Sequence, residues 1–327
     1  MTSYDSHKAI LKSLPLLARK GLTSRCPAIR SVDKLCGNNR FAVVLVEFRP
    51  ARHCYIQLDN ITVKFSKVTG DETATCVEYG TRPRTIVGED LFPLWFHTIN
   101  PQPGQIVRNK TLRRAAEEYL NYHLRRPGVI IDFLVMRSSQ DLLNGFQFEV
   151  RRLDYRAALG PAPHHLFSGN QQLDVVRFYN HMDLHITTIN QARRLEYYHR
   201  DSIPLPLLRN LRAISVTCPD TWASYQRLLE YLEMFLTSQF PIGFSYTEKL
   251  FFPVIVYFFD WFADEMHAEK TEFRGKLSVT LPLRNNPAAE LNMWEGDEDT
   301  PSFVIEISAR GTATPRAVVD PVDNPVD

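Results

Sequence analysis

The stretch "LFFPVIVYFFDWFA", Leu250 to Ala263, most limits what this chain can fold into, because its fourteen residues include seven aromatic rings and one charge. Such a segment must leave water in a membrane, against a partner or in the chain's own core. As a helix it would be about 21 Å long, short of the roughly 20 residues that a bilayer core requires. We therefore predict no transmembrane segment here and a buried helix that starts near Pro253.

The area of these rings favours the core over a partner surface. Each ring would expose about 150 to 250 Å² if unburied, and a soluble monomer tolerates only a few hundred Å² of apolar patch. We predict the central helix of the C-terminal half, packed by a helical stripe from Trp222 to Leu236, with at most one edge left for self-association. On this prediction Phe258→Ala costs about 3 to 5 kcal/mol of stability.

The first half of the sequence is typical of β-strands. Three segments are rich in β-branched and aromatic residues and are separated by turn residues: 40–48, 54–68 and 75–87. In the second segment apolar residues alternate with polar ones, and a slip at Asn60 is consistent with a bulge. "TLRRAAEEYLNYHL" has helical spacing, and "GVIIDFLVM" and "GFQFEVRRL" predict two further strands. We expect a mostly antiparallel sheet.

The second half has helical spacing over longer stretches. "QLDVVRFYNHMDLHITTINQARRLEYY" and "DTWASYQRLLEYLEMFL" are predicted to be helices, the second capped by Asp220 or Thr221. Short strands are predicted at "LRAISVTC", "GKLSVTLPL" and "SFVIEISA". No internal repeat is evident. The fold class is therefore predicted as α+β, with a strand-rich N-terminal half and a helix-rich C-terminal half carrying a few short strands.

Domain boundaries follow from composition. We predict a strand-rich region at 1–156, a helix-rich region at 171–310 and a linker at 157–170, where Pro, Gly and Ser occur without periodicity. The two regions form either separate domains or one continuous domain. Residues 311–327 contain three prolines and little apolar surface, so we predict a disordered tail there.

Charge and cysteine content limit the partners and the compartment. The 38 basic residues nearly balance the 37 acidic ones, so any binding to nucleic acid or an anionic membrane must come from local patches. The five cysteines are odd in number and lack metal-ligand spacing, which predicts reduced thiols. The first residues lack the long apolar region of a secretory signal. We predict an intracellular protein, with cytoplasm or nucleus undecided.

Clusters of arginine and tyrosine are the strongest candidate binding feature. Arginine binds phosphates through a planar fork, and tyrosine offers a face on which unpaired bases stack. These clusters predict contact with single-stranded nucleic acid. The candidates are Arg113, Arg114, Arg125, Arg126, Arg151, Arg152, Arg156, Arg193, Arg194, Tyr197, Tyr198 and Arg200. An alternative is that some of these arginines only form helix-surface ion pairs, as the spacing of Arg113 and Glu117 allows.

Enzymatic alternatives have weaker patterns. Asp132 on one predicted strand and Glu149 on the next are similar to a PD-(D/E)xK nuclease layout that holds a metal ion. Arg151 stands in place of the lysine, and arginine does not release a proton at neutral pH. We therefore predict that Asp132 and Glu149 are not a metal site.

The pair His181 and His185 in "HMDLH" has metal-ligand spacing on a helix, but Met182 stands where a zinc protease has glutamate. No nucleophile elbow or glycine-rich nucleotide loop occurs among the 14 glycines. We predict no catalytic residue, metal or cofactor. The leading hypothesis is a non-enzymatic nucleic-acid-binding or assembly protein, and a viral coat protein, nucleoprotein or movement protein is compatible with this composition. Its expected partners are single-stranded nucleic acid, a second copy or another protein.

Overall fold

The computed structural model describes residues 26, 40–49, 52–59, 61–81, 104–125, 128–137, 140–143, 145–156, 172–250, 255–296 and 302–315. The chain divides into two compact units, an N-terminal unit (Met1–Asp174) and a C-terminal unit (Val175–Asp327). The predicted linker at 157–170 lies outside the described residues.

The N-terminal unit contains a mixed sheet. Its described strands are β1 (Arg40–Arg49), β2 (His53–Leu58), β3 (Ile61–Val68), β4 (Asp71–Thr81), β5 (Gln105–Val107), β6 (Ile130–Arg137) and β7 (Glu149–Arg156). Their order across the sheet is β7-β6-β1-β2-β3-β4-β5. Strands β1 to β5 pair antiparallel, whereas β6 is parallel to both β1 and β7.

A chain reversal explains the slip in alternation that was interpreted as a bulge. Leu58 and Ile61 are cross-strand partners, so β2 and β3 form a hairpin and not one bulged strand. Asp59 has a positive φ of 55°, and its carboxylate accepts hydrogen bonds from the backbone N–H groups of Ala42 (2.7 Å) and Val43 (3.2 Å). Aspartate tolerates this conformation because its short side chain bonds the nearby backbone.

One long helix covers part of the N-terminal sheet. Helix α1 (Leu112–Leu124) begins after Thr111, whose hydroxyl accepts the N–H of Arg114 at 3.3 Å. Ala116 and Leu120 are fully buried, and the helix packs against β2, β3 and β4. A 3₁₀ helix spans Gln140–Leu143. The predicted helix at this position therefore forms because its apolar stripe meets the sheet.

The C-terminal unit is also dominated by strands. They are β8 (Val175–Phe178), β9 (Arg194–Tyr197), β10 (Ser215–Ala223), β11 (Ser245–Leu250), β12 (Glu269–Phe273), β13 (Lys276–Pro282), β14 (Ala289–Glu295), β15 (Ser302–Ala309) and β16 (Thr314–Pro315). Its described helices are a 3₁₀ helix (His181–His185), α2 (Thr187–Asn190), α3 (Leu205–Arg209), α4 (Tyr225–Thr237) and α5 (Ile255–Met266). The strand order is β16-β12-β13-β14-β15-β11-β10-β9-β8.

Strands β8 to β11 are successive parallel neighbours, and each connection between them carries a helical segment. The fully buried Val176, Leu195, Val216 and Tyr246 are aligned across the four strands. The first two steps each advance the chain by about 20 residues, a length typical of strand-and-helix repeats. This repeat was not evident in the sequence.

The remaining strands of the C-terminal unit pair antiparallel. One face is apolar and includes the buried Met293 and Ile305, which are cross-strand partners. The other face carries a chain of buried polar contacts, in which Thr280 donates to Asn292 at 2.7 Å and Asn292 donates to Ser308 at 2.8 Å. These bonds satisfy polar groups that burial would otherwise destabilise.

The prediction of a helix-rich C-terminal half is wrong, because strands dominate the C-terminal unit. Residues 172–198, predicted as a long helix, contain β8 and β9, each of four residues. Alternation within so short a strand covers only two buried positions, such as Val176 and Phe178. The surrounding apolar residues fit helical spacing by chance, and pairing with neighbouring strands overrides that pattern.

The apolar run 250–263 does not form one element. Leu250 ends β11, and α5 begins at Ile255. Phe259 and Phe262 are buried and α5 packs against β13, whereas Trp261 is 42% exposed. The predicted helical stripe from Trp222 to Leu236 is wrong at its start. Trp222 belongs to β10, and α4 is capped by Ser224 and not by Asp220 or Thr221.

The side chain of Phe258 lies outside the described residues, so its predicted burial stays a prediction. No described helix is long and apolar enough to cross a membrane.

The predicted tail begins with ordered residues. The backbone N–H groups of Gly311 and Ala313 donate to the carboxylate of Glu290 at 2.8 and 2.9 Å. Thr314 then pairs with Glu272 as part of β16. The prediction of a disordered tail is therefore wrong for residues 311–315. For residues 316–327, which lie outside the described part of the chain, it stays a prediction.

Candidate functional site

The carboxyl ends of the parallel strands β8 and β9 bring two tyrosines together. Tyr179 and Tyr198 directly follow these strands, and their rings stack with centroids 5.6 Å apart. The guanidinium of Arg177 lies 5.9 Å from the centroid of Tyr198. Parallel strands end at the same edge of a sheet, which explains why residues 19 positions apart in sequence meet here.

The next two strands extend this edge. Trp222, near the end of β10, is 47% exposed, and the Nζ of Lys249 on β11 lies 5.6 Å from its ring centroid. The hydroxyl of Thr221 donates to the backbone oxygen of His199 at 2.8 Å, which joins the end of β10 to the chain that follows β9. We call Tyr179, Tyr198 and Trp222, with the cations Arg177 and Lys249, the aromatic edge.

Charges of both signs surround the aromatic edge. Glu196 receives Arg177 Nε at 2.6 Å through one carboxylate oxygen and Arg194 Nε at 3.5 Å through the other. Arg200 and Asp220 are exposed, as is the carboxylate of Asp201. Glu196 therefore compensates Arg177 and Arg194, and the surroundings of these rings carry both signs of charge instead of a uniformly basic surface.

Adjacent residues of the predicted "ARRLEYYHR" cluster have opposite environments. Tyr197 is fully buried and its ring lies 5.0 Å from that of Phe178, whereas Tyr198 belongs to the aromatic edge. Strand alternation causes this difference, because successive side chains point to opposite faces. Arg193 is exposed at the start of β9. The structure thus brings Tyr198 to a surface site and removes Tyr197 from it.

The predicted arginines of α1 form local ion pairs. Arg113 lies 2.7 Å from Glu117, and Arg114 lies 3.4 Å from Glu118. Glu118 also pairs with Lys110. Hydrogen bonding by Lys110 lowers the pKa of the Glu118 carboxyl. Arg125 is exposed at the carboxyl end of α1, and Arg126 lies outside the described residues.

The predicted arginines of β7 also have partners. Arg151 lies 3.7 Å from Asp132, and Arg156 lies 3.8 Å from the fully buried Asp154. The guanidinium of Arg152 lies 5.3 Å from the ring centroid of Phe133. Arg151 and Arg156 therefore face carboxylates of their own unit, whereas the described contact of Arg152 is with an aromatic ring.

The carboxylates of the nuclease-like pattern face arginines. Asp132 accepts two hydrogen bonds from Arg40, at 3.2 and 3.1 Å, and also faces Arg151. This bonding to Asp132 raises the pKa of Arg40. Glu149 is exposed on β7, opposite Ile130. A carboxylate already held by a guanidinium fork is a poor metal ligand, so the geometry does not favour metal chemistry here.

The histidines of "HMDLH" lie on a 3₁₀ helix, where positions four apart are offset by about 120° and do not share a face. Between them, Asp183 is buried, and its Oδ2 has no hydrogen-bond partner among the described residues. Burial raises the pKa of Asp183 to about 6. In the described part of the chain, no group of three or more His, Cys, Asp or Glu side chains is arranged to hold a metal.

A buried polar cluster beneath β11 was not predicted from the sequence. The hydroxyl of Tyr246 donates to Glu248 Oε2 at 2.5 Å, and Ser202 donates to Oε1 at 3.0 Å. The thiol of Cys218 lies 3.7 Å from the Tyr246 hydroxyl. Burial raises the pKa of Glu248 and of the Cys218 thiol. An alternating strand pattern that contains a glutamate could have indicated this cluster, but no strand was predicted at Ser245–Leu250.

Comparison with known proteins gives no further assignment. No protein-family model, curated protein or solved structure matches this chain. The chemistry of the described residues therefore carries the functional interpretation.

Proposed function

We propose that this chain is a non-enzymatic binding protein that recognises another protein through the aromatic edge. The observation that carries the proposal is the position of a stacked Tyr179–Tyr198 pair and a half-exposed Trp222 beside cations at adjacent strand ends. Tyrosine, tryptophan and arginine contribute most of the binding energy in protein interfaces. Strand ends hold them rigidly, so little side-chain entropy is lost on binding.

The parallel arrangement supports a binding role for this edge. Strands β8 to β11 end side by side, and each one adds residues to the same surface. Ligands of open parallel sheets bind at the carboxyl ends of the strands, and repeated strand-and-helix units provide extended binding surfaces. A partner that spans several strand ends would contact residues that are far apart in the sequence.

Charge balance favours a protein partner over a nucleic acid. Arg177 and Arg194 share Glu196, and Arg200 is next to the exposed carboxylate of Asp201. A phosphate backbone is bound best by cations without such compensation. A partner chain with side chains of both signs suits this surface better. Contact of Arg193, Arg194 and Arg200 with single-stranded nucleic acid stays a prediction.

A displayed random-peptide library tests the proposal. Peptides selected on the wild-type protein should bind the Tyr198→Ala/Trp222→Ala double variant at least tenfold more weakly, because the variant loses both aromatic anchors. Trp261→Ala is the matched control, since Trp261 on α5 has nearly the same exposure as Trp222, 42% against 47%. This control should bind the selected peptides as tightly as the wild type does.

A fluorescent single-stranded oligonucleotide distinguishes the two ligand classes. Salt-dependent oligonucleotide binding that is lost when Arg193, Arg194 and Arg200 are replaced by glutamate would support nucleic acid as the ligand. The protein-binding proposal would fail if that result were combined with peptides that do not respond to the Tyr198→Ala/Trp222→Ala variant.

A further inference from the structure

A cavity of about 410 Å³ lies in the C-terminal unit, between the end of the 3₁₀ helix, α2 and α3. Its volume is within the range of about 300 to 1,000 Å³ that small-molecule sites occupy. None of its lining residues belongs to the aromatic edge. The cavity is therefore a separate candidate site, independent of the proposed function.

Arg212 supplies a cation to this cavity. Its side chain is exposed, and it has no ion-pair partner among the described residues. This distinguishes it from Arg177 and Arg194, which share a glutamate. A guanidinium without a carboxylate partner can offer its planar fork to an oxyanion with two parallel hydrogen bonds.

Asn190 holds the backbone that leads into this cation. Its Oδ1 accepts the backbone N–H of Arg212 at 3.0 Å, and its Nδ2 donates to the backbone oxygen of Asn210 at 3.3 Å. The same carboxamide thus joins α2 to the chain after α3. Fixing the backbone of Arg212 in this way lowers the conformational entropy that a bound ligand would otherwise have to remove.

The other polar groups of the lining suit hydroxyl groups. Thr187 contributes a hydroxyl, Gln191 and Asn210 contribute carboxamides, and His185 contributes an imidazole. Each group can donate or accept hydrogen bonds, although the Nδ2 of Asn210 already donates to the backbone oxygen of Pro206 at 2.9 Å. Two leucines provide the apolar part of the lining. We propose that this cavity binds a small polyhydroxylated molecule carrying one oxyanion, a phosphate or a carboxylate, with Arg212 binding the oxyanion.

Isothermal titration calorimetry with glucose 6-phosphate, gluconate and glucose tests this proposal. At least one anionic probe should bind saturably, and glucose should bind at least tenfold more weakly, because it lacks the oxyanion. The comparison of glucose 6-phosphate with gluconate shows whether phosphate or carboxylate is preferred. Arg212→Gln should weaken the anionic probe at least tenfold. Arg209→Gln, an exposed arginine of α3 outside the cavity, is the control and should stay within twofold of the wild type.

Two results would overturn the proposal. One is the absence of saturable binding by either anionic probe, and the other is an equal loss of binding in Arg212→Gln and Arg209→Gln. If Arg212→Gln lowers the melting temperature, Arg212→Lys replaces it, because lysine keeps the charge and loses the planar fork. That variant should bind the anionic probe more weakly than the wild type, and unchanged affinity would exclude the role of the fork.

Discussion

The inner face of the parallel strands and their carboxyl ends use the same types of residue in opposite ways. Inside, Tyr197 and Tyr246 are fully buried, and Tyr246 donates to a buried glutamate. At the edge, Tyr198 stacks on Tyr179 and lies beside a guanidinium. Aromatic residues of these strands can therefore be divided into core residues and candidate binding residues only when the direction of each side chain is known.

The comparison has an energetic consequence. Rings on the inner face contribute by leaving water and filling space, so their removal should unfold the C-terminal unit. Rings at the edge are only partly buried, so their removal should change the stability less. Substitutions on the inner face should therefore change the stability, and substitutions at the aromatic edge should change the proposed binding.

The largest expected effect is that of Phe235→Ala in α4. The ring is fully buried, and its centroid lies 5.1 Å from Phe240, 5.5 Å from Phe244 and 5.6 Å from Tyr246. Its loss leaves a cavity and should lower the free energy of unfolding by about 3 to 5 kcal/mol in urea denaturation. A change below about 1 kcal/mol would show that burial of rings on the inner face does not stabilise the unit.

The second largest expected effect is the pH dependence of stability that Asp183 causes. Its pKa is raised from 3.8 to about 6 in the folded state, so the folded protein binds this proton more tightly than the unfolded chain does. The stability that this proton contributes is fully present below pH 3.8 and is lost as pH rises through about 6. Asp183→Asn should remove this dependence and be about 2 to 3 kcal/mol more stable than the wild type at pH 7.

Denaturation at pH 4 and pH 7 checks this prediction. The two proteins should have nearly equal stability at pH 4, where the carboxyl is protonated, and should diverge at pH 7. The raised pKa of Glu248 also lowers the stability as the pH rises. The contribution of Asp183 is therefore measured as the difference in stability between Asp183→Asn and the wild type at each pH, and not from the pH dependence of the wild type alone. A constant difference across this pH range would contradict the assignment to Asp183.

The next effect is the loss of the hydroxyl that stabilises Glu248. Tyr246→Phe removes the donor to Oε2 and should lower the free energy of unfolding by about 1 to 2 kcal/mol. The loss should be larger at pH 8 than at pH 5, because the ionised carboxylate depends more on donors. In a Glu248→Gln background the pH dependence of this loss should disappear, and its persistence would assign the effect to another group.

The elements of the N-terminal unit and the short parallel strands of the C-terminal unit were not equally predictable from the sequence. The three strand segments predicted in the N-terminal half overlap β1 to β4, although the second one forms two strands, and the predicted helix overlaps α1, because each segment is long enough to show its period. Strands β8 and β9 were missed because four residues show too little alternation. Their stability comes from parallel neighbours, and a local pattern does not record such pairing.

The candidate site was predicted only in part. Tyr198 was named from the arginine and tyrosine cluster, but Tyr179 and Trp222 were not predicted as binding residues, because they reach the same edge through strand pairing and not through proximity in sequence. Tyr197 was included although it faces the interior. Composition could not separate the two tyrosines without the assignment of β9.

The smallest expected change in stability is that of Tyr198→Ala at the edge. The ring is partly exposed and makes its described contacts with Tyr179 and Arg177, so its removal should lower the free energy of unfolding by less than about 1 kcal/mol. Urea denaturation measures this directly, with Phe235→Ala as the contrasting inner-face variant. A loss comparable to that of Phe235→Ala would mean that the aromatic edge is part of the core, and the distinction between folding and recognition at β8 to β11 would fail.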